Sequence, residues 1–172
     1  MKATRLLFGF VAGGVALFGS ACSDSPVDAG SEFTAELIGS TVESLGLLYC
    51  SPLPADSVTV TMGPEGGQIE VGPHTLSVPE GALDSTVAIT AVAPSDTVNH
   101  VEFSPDGLTF QRSAALTMSY ANCDAASSTL PKRIAYVSDA LAILEYLIGA
   151  DDPVLQTVTG RLDHFSGYAV AW

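Results

Sequence analysis

Apolar and polar residues alternate along the chain from about residue 56 to its end, in short runs divided by Gly and Pro. The run 58–61 alternates strictly, and in the run 114–120 the side chains of Leu116, Met118 and Tyr120 share one face. Successive side chains of a β-strand point to opposite faces of a sheet, so this period of two predicts half-buried strands. Short strands separated by turn residues predict an all-β protein with an antiparallel β-sandwich. The predicted strands are 58–61, 68–71, 75–78, 86–93, 98–103, 108–110, 114–120, 133–137, 143–147, 154–162 and 163–172.

Two stretches have a pattern that fits more than one structure. Residues 31–49 carry apolar positions such as Phe33, Leu37 and Val42 at roughly helical spacing, which predicts either a short amphipathic helix or a tether with little structure. Residues 141–148 also fit a helical spacing. That run is short and lies among predicted strands, so we favour a strand there.

The first residues have the pattern of a targeting signal. Lys2 and Arg5 give a cationic start, and residues 6–18 are apolar apart from small Gly and Ala residues. This apolar run is too short to span a bilayer, and it therefore predicts a signal peptide over 1–21 and export from the cytoplasm. Cys22 directly after the signal resembles the lipid-attachment cysteine of bacterial lipoproteins, which implies a membrane anchor through lipid.

Cleavage without lipidation is the alternative for the N-terminus. Gly19 and Ala21 also suit ordinary signal peptidase, which would release a secreted protein. In either case a polar segment rich in Ser, Asp and Pro follows, and a Pro-containing stretch at 51–54 marks a domain boundary. We therefore expect a signal peptide, a lipid-attachment cysteine with a tether over 22–55, and a β-sandwich domain over 56–172.

The charge balance excludes one class of partner. The chain has 19 acidic residues against 6 Lys and Arg, a formal net charge of −13, and the signal segment holds two of those cations. Binding to nucleic acid requires cations that neutralise phosphates, so we expect no nucleic-acid partner. The high apolar fraction and the regular pattern indicate a folded domain with a hydrated surface rather than disorder.

The cysteines and histidines predict a disulfide and no metal site. With Cys22 lipidated, Cys50 and Cys123 remain as an even pair in an oxidising compartment, where they form either a disulfide or two unpaired thiols. No Cys-x-x-Cys motif occurs, the histidines at 74, 100 and 164 are far apart in sequence, and no acidic loop has calcium-binding spacing. Nucleotide-binding fingerprints are also absent from the sequence, so we expect no cofactor.

Several ordered motifs resemble those of the ZU5 domain. They are Gly66-Gly67-Gln68-Ile69, the stretch 76–83, the hairpin 103–110, the strand 116–120 and the closing His164-Phe165-Ser166-Gly167-Tyr168-Ala169-Val170. The resemblance covers roughly residues 56–172 and implies a β-sandwich that serves protein–protein contacts. Some relatives cut themselves between the Phe and the Ser of a His-Phe-Ser motif, and others stay intact. The companion domains of the multidomain members are not seen in this sequence, so their partners are not carried over.

The His164-Phe165-Ser166 motif permits one cut of the chain. The Ser166 hydroxyl would attack the Phe165 carbonyl, His164 would take the hydroxyl proton as general base, and water would hydrolyse the resulting ester. The alternative is a closing strand in which Phe165 fills the core and the polar pair lies at the rim. A turnover hydrolase is disfavoured, because catalytic triads converge from separate elements and no Gly-x-Ser-x-Gly elbow occurs.

The sequence thus predicts an exported, lipid-anchored β-sandwich that acts as a structural or protein-binding module without turnover catalysis. Its expected contacts are an unidentified protein and the membrane that holds the lipid, in the cell envelope. No pattern indicates a small-molecule substrate, and the aromatic residues are better explained as core and rim than as a carbohydrate-binding ridge. The alternative function is a self-processing domain that is cut once between Phe165 and Ser166.

Overall fold

The computed structural model describes residues 45–172, which form two antiparallel β-sheets packed against each other. The all-β sandwich predicted from the alternating pattern is therefore confirmed. The signal peptide 1–21, the lipid-attachment site Cys22 and the helix-or-tether segment up to residue 44 lie outside the described residues. Within the described part, the helical structure is a single 3-10 turn, Ala125–Ser127, and no helix is long and apolar enough to cross a membrane.

The two sheets contain eleven strands within residues 45–172. The strands are β1 Asp56–Met62, β2 Gly67–Val71, β3 His74–Val78, β4 Val87–Ala93, β5 His100–Ser104, β6 Thr109–Ser119, β7 Arg133–Val137, β8 Ile143–Tyr146, β9 Gly149–Asp152, β10 Thr157–His164 and β11 Gly167–Ala171. One sheet has the order β1-β4-β5-β11-β7-β8, and the other has the order β2-β3-β6-β10-β9. The edge strands β1 and β2 belong to different sheets and follow each other in the chain, and the same is true of β8 and β9. At each side of the sandwich the chain therefore crosses from one sheet to the other.

The core lies between the sheets and contains the residues that alternation predicts. Leu116 and Met118 of β6 are fully buried, and Tyr120 just after the strand is nearly so. Burying a side chain of this size contributes about 1.5–3 kcal/mol, so these alternating positions supply much of the stability. Tyr168 on β11 belongs to the same cluster and is 1% exposed.

A second, smaller cluster covers the outer face of β11 and β7. It consists of Leu47, Val98, Ala135, Val137, Ala169 and Ala171. Leu47 reaches this cluster because the chain at 45–50 pairs with the end of β11, through an antiparallel bridge between Leu47 and Ala171. Residues 45–50, which the sequence assigned to the tether, therefore pack against the sheet.

The predicted disulfide is present between Cys50 and Cys123. The two residues also face each other in an isolated antiparallel bridge, and the Asp124 N–H donates a hydrogen bond to the Tyr49 carbonyl beside it. The bond therefore joins the first described segment to the loop after β6.

Several strand boundaries differ from those predicted. The predicted runs 108–110 and 114–120 belong to one strand, β6, which pairs with β10 on both sides of a register shift between Leu162 and His164. The predicted strand 154–162 begins only at Thr157, since the Asp152 carboxylate accepts the N–H groups of residues 154 and 155 and holds a turn. The strand favoured over a helix in 141–148 is confirmed as β8.

Candidate functional site

The His-Phe-Ser motif lies in the short connection between β10 and β11. β10 ends at His164, and the backbone then runs beside the connection between β5 and β6. The hairpin expected for residues 103–110 is wrong, because β5 and β6 belong to different sheets and do not pair with each other. The Phe165 N–H donates to the Leu108 carbonyl at 2.8 Å, and the Phe103 N–H donates to the Ser166 carbonyl at 3.1 Å. These hydrogen bonds fix the backbone on both sides of the bond between Phe165 and Ser166.

The Phe165 side chain fills the core, as the structural interpretation of the motif predicted. It is 0% exposed. Its ring stacks on Phe103 with centroids 5.3 Å apart and meets the edge of Phe110 at 5.0 Å. Such aromatic pairs contribute roughly 0.5–1.5 kcal/mol each beyond their buried area. The connection is thus anchored by its own central side chain.

The Phe165 carbonyl oxygen faces two nitrogen atoms. The Gly107 N–H donates to it at 3.1 Å, and His164 Nδ1 lies 3.3 Å away. Gly107 has a φ of 73°, a left-handed conformation that suits glycine. Since a carbonyl oxygen only accepts, His164 can join this hydrogen bond only when Nδ1 carries its proton. Two donors aimed at one carbonyl oxygen would stabilise a negative charge that developed there.

Two tyrosines hold the His164 ring in place. The Tyr168 hydroxyl donates to the His164 carbonyl at 2.6 Å and lies 3.4 Å from Nδ1. The Tyr136 ring meets the imidazole edge-on at 5.1 Å. Burial raises the pKa of Tyr168, with smaller contributions from neighbouring acidic groups, so its hydroxyl stays protonated as a donor. The imidazole therefore has a fixed orientation toward the Phe165 carbonyl.

The Ser166 hydroxyl does not pair with His164. Among the hydrogen bonds of residues 45–172, none joins these two side chains, although the sequence had placed them on one face. Ser166 instead lines a groove of about 380 Å³ on the sheet that contains β5, β11 and β7. For His164 to act as general base, its ring would have to turn from the carbonyl toward this hydroxyl.

The groove beside Ser166 also contains four ionisable residues that the sequence analysis did not assign to a site. They are His100, Glu102, Asp106 and Asp139. His100 and Glu102 are two residues apart on β5, so their shared face was readable from the alternation. Asp106 and Asp139 come from two different loops, and only the folded structure brings them to this groove.

Large apolar side chains are exposed on one side of the described molecule. Leu144 lies on β8, Ile148 lies just before β9, and Val154 and Leu155 lie just after it. Leu130 precedes β7 but lines a groove together with Tyr146 and Gly149, and the sixth exposed side chain is Leu45. Next to Leu45, Gly46 lies against Ile143 and Tyr146 of the same edge strand. The exposed apolar surface of residues 45–172 is therefore concentrated at the β8–β9 edge.

A second groove, of about 500 Å³, opens on the same edge. Its lining includes Leu130, Arg133, Tyr146 and Trp172. The Arg133 guanidinium lies over the Tyr146 ring at 4.4 Å from the centroid, a cation–π contact. The aromatic residues at 146 and 172 are partly buried, which agrees with the rim position expected for them.

Comparison with known proteins adds no assignment. No family model matches the chain, and no curated protein matches it in sequence. Within the described residues, no group of three His, Cys, Asp or Glu side chains is arranged to hold a metal ion. The function is therefore inferred from the two surfaces and from the geometry of the His-Phe-Ser connection.

Proposed function

We propose that the protein is an exported, lipid-anchored, ZU5-like β-sandwich that binds another protein in the cell envelope and has no turnover catalysis. The observation that supports binding is the exposed surface at the β8–β9 side. We call this surface the apolar edge and define it by Leu130, Leu144, Tyr146, Ile148 and Trp172. Within it Ile148 is 83% exposed and Leu144 is 55% exposed.

The apolar edge contrasts with the other edge of the sandwich. There β1 and β2 expose polar side chains, among them Thr59, Thr61 and Glu70. Soluble proteins usually protect edge strands with polar or charged residues, because a free edge invites pairing with another chain. A free edge that instead exposes Leu144 and Ile148 is typical of a surface that a partner covers.

The chemistry of the apolar edge favours a protein as its partner. Tyr, Trp and Arg are enriched among residues that dominate protein–protein binding energy, and Tyr146, Trp172 and Arg133 meet here. Among the described residues β8 pairs only with β7, so its other side can accept an extended segment as an added strand, with apolar pockets selecting its side chains. Glu145 and Asp152 are exposed beside the edge. We therefore expect an extended partner segment that combines apolar with basic residues.

A cross-linking experiment tests the apolar edge. A photoreactive amino acid at Ile148 should give one discrete adduct with another protein in living cells, because a bound partner lies within reach of that side chain. The matched control places the same amino acid at Thr59 on the opposite edge, where we expect no adduct. Equal adducts at both positions, or none at Ile148, would contradict the proposal. An adduct with the mass of two copies would show self-association instead of a separate partner.

Lipid anchoring at Cys22 has its own test. The wild-type protein should fractionate with membranes, and Cys22→Ser should shift it to the soluble fraction, because buried acyl chains add about 0.8 kcal/mol of membrane affinity per methylene. The control is Ser23→Ala, which leaves the thiol in place. If wild type and Cys22→Ser both remain soluble, the protein is exported without a lipid.

Self-processing is the second candidate function. The observation that favours it is the environment of the Phe165 carbonyl oxygen. This oxygen accepts a hydrogen bond from the Gly107 N–H and lies near His164 Nδ1, and Ser166 is the next residue in the chain. Attack by the Ser166 hydroxyl would put negative charge on that oxygen. The Gly107 N–H would then stabilise the charge, while the His164 ring, turned toward the hydroxyl, would take its proton.

Mass spectrometry of the denatured protein tests this second function. Cleavage should release residues 166–172, and Ser166→Ala should leave the chain whole, because the nucleophile is lost while little volume changes. His164→Ala should slow the cut by roughly 10² to 10⁴, as expected for loss of a general base. Ser166→Cys should retain some cleavage, since a thiol can make the same attack. A wild-type chain that stays full length after days, even with hydroxylamine present, would show that the motif is structural.

A further inference from the structure

The outer face of the sheet that holds β5, β11 and β7 is apolar where a two-layer sandwich would meet water. Its outward side chains include Ala135, Val137, Ala169 and Ala171, each at most 3% exposed. We call this surface the alanine face and define it by these four residues. On β11 all residues from Tyr168 to Ala171 are buried, so this strand is covered on both faces. Strands that lie between two other layers have such near-continuous apolar runs, so the alanine face has the chemistry of an internal interface.

The outer face of the opposite sheet has the pattern expected of a surface in water. Its outward positions are polar and partly exposed, among them Thr75, Thr117 and Thr159. The hydroxyls of Thr117 and Thr159 form a hydrogen bond of 2.9 Å with each other. Buried and partly exposed residues also alternate strictly along the second half of β6. The burial on both sides of β11 is therefore particular to the alanine face and not general to this sandwich.

The described chain begins against the alanine face. Leu47 packs in the same apolar cluster. One residue earlier, the Gly46 carbonyl accepts a hydrogen bond from the Trp172 N–H at 3.2 Å, and a Cβ at Gly46 would lie 3.3 Å from Ile143 Cδ1. Leu45, the first described residue, is 49% exposed. The chain that precedes Leu45 is therefore attached directly beside this face.

The sequence of residues 33–44 complements the alanine face. Drawn as a helix with about 100° per residue, this segment places Glu36 and Glu43 together on one side. The opposite half carries its four large apolar residues, Phe33, Leu37, Ile38 and Val42. An isolated helix of this length is marginal in water, so its apolar side requires a surface to cover. Such a helix is about 18 Å long, close to the length of about 17 Å for a five-residue strand such as β11.

We propose that residues 33–44 form an amphipathic helix that docks on the alanine face as a third layer of the molecule. The apolar side of the helix packs on Ala135 and Ala169, which are direct neighbours on β7 and β11 and whose small side chains let a helix approach the sheet closely. Leu141 borders the same cluster and contacts the helix from the side. The glutamates of the segment face the solvent.

The docked helix shortens the tether of the sandwich. Residues 22–32 remain between Cys22 and the helix, and they span at most about 40 Å when fully extended. This limit on the distance from a membrane rests on the proposed lipid at Cys22. The docking itself depends neither on that lipid nor on a partner at the apolar edge.

Photo-cross-linking in living cells tests the docked helix. A photoreactive amino acid at Ile38 should give an adduct within the same chain, because that side chain faces the sheet. After reduction and trypsin digestion, the adduct should join the peptide that carries residue 38 to peptide 134–161 or peptide 162–172, which contain the alanine face. The matched control places the same amino acid at Glu36, two residues away on the opposite side of the helix, where we expect far less of this adduct.

The masses of the adducts distinguish the three occupants that this face could have. Equal adducts within the chain at Ile38 and Glu36, or none at Ile38, would overturn the proposal. An Ile38 adduct with the mass of two chains would also overturn it, because a second copy would then cover the face. An Ile38 adduct with a different protein would assign the face to a partner instead.

Thermal unfolding gives a second readout on the exported chain, purified with Cys22→Ser in every sample. Leu37→Ser with Ile38→Ser should lower the midpoint by at least about 5 °C, because two apolar side chains lose their burial against the sheet. Glu36→Gln with Glu43→Gln changes the solvent side of the same segment and should shift the midpoint by less than about 2 °C. Both pairs lie outside the described strands, so the sandwich should fold in each variant. Equal shifts for the two pairs, or no shift for the apolar pair, would contradict the docking.

Discussion

Breaking the Cys50–Cys123 disulfide is expected to lower the free energy of unfolding by about 4 kcal/mol. The two cysteines are 73 residues apart in sequence, and closing a loop of that length restricts the unfolded chain by about this amount in the loop-entropy account. For a domain of this size, the midpoint of thermal unfolding should fall by roughly 10–20 °C. Thermal and denaturant unfolding of the Cys50→Ala, Cys123→Ala double variant would measure both quantities.

Reduction of the wild-type protein provides the control for this variant. Cys50 is fully buried, so the alanine substitution also removes packing, whereas a reductant breaks the bond and leaves both side chains in place. The reduced wild-type protein should show most of the loss. A reduced protein as stable as the oxidised one would mean that the disulfide adds no stability beyond that of the other contacts of residues 45–50, such as the bridge between Leu47 and Ala171.

Alternation was sufficient to predict the class of fold. A period of two places Leu116 and Met118 inward whatever the partner strand, so the buried face of β6 followed from local sequence. The same reasoning was wrong for residues 154 and 155, whose apolar side chains were assigned to a strand. They lie in a turn held by Asp152 and are exposed, because a local side-chain hydrogen bond outweighed the apolar pattern.

The order of the strands and the candidate site depend on contacts that a linear pattern does not contain. His164 and Ser166 are two residues apart, which predicts a shared face only while the strand continues. β10 ends at His164, and the hydrogen bonds from Gly107 and Phe103 then turn the backbone. The imidazole consequently faces the Phe165 carbonyl rather than the serine hydroxyl. Gly107 is 58 residues from that carbonyl in sequence, and its role could be recognised only in the fold.

Phe165→Ala is expected to lower the free energy of unfolding by about 3–5 kcal/mol, the usual cost of truncating a buried phenylalanine. The ring is 0% exposed and lies between Phe103 and Phe110, so the cavity would open between the two sheets. Denaturant unfolding at equilibrium measures the loss. If Ser166→Ala prevents any self-cleavage, the comparison is made in that background, so that both chains stay intact.

Phe165→Leu is the matched control for this variant, because leucine keeps most of the apolar volume and loses the aromatic contacts. It should cost clearly less than alanine, about 1–2 kcal/mol, since a hydrophobic replacement of similar size is tolerated better than a cavity. A loss below about 1 kcal/mol for Phe165→Ala would show that the ring does not hold the connection in the core. The fixed position of the Phe165 carbonyl beside Gly107 and His164 depends on that anchoring, so such a result would weaken the structural basis for self-processing as well.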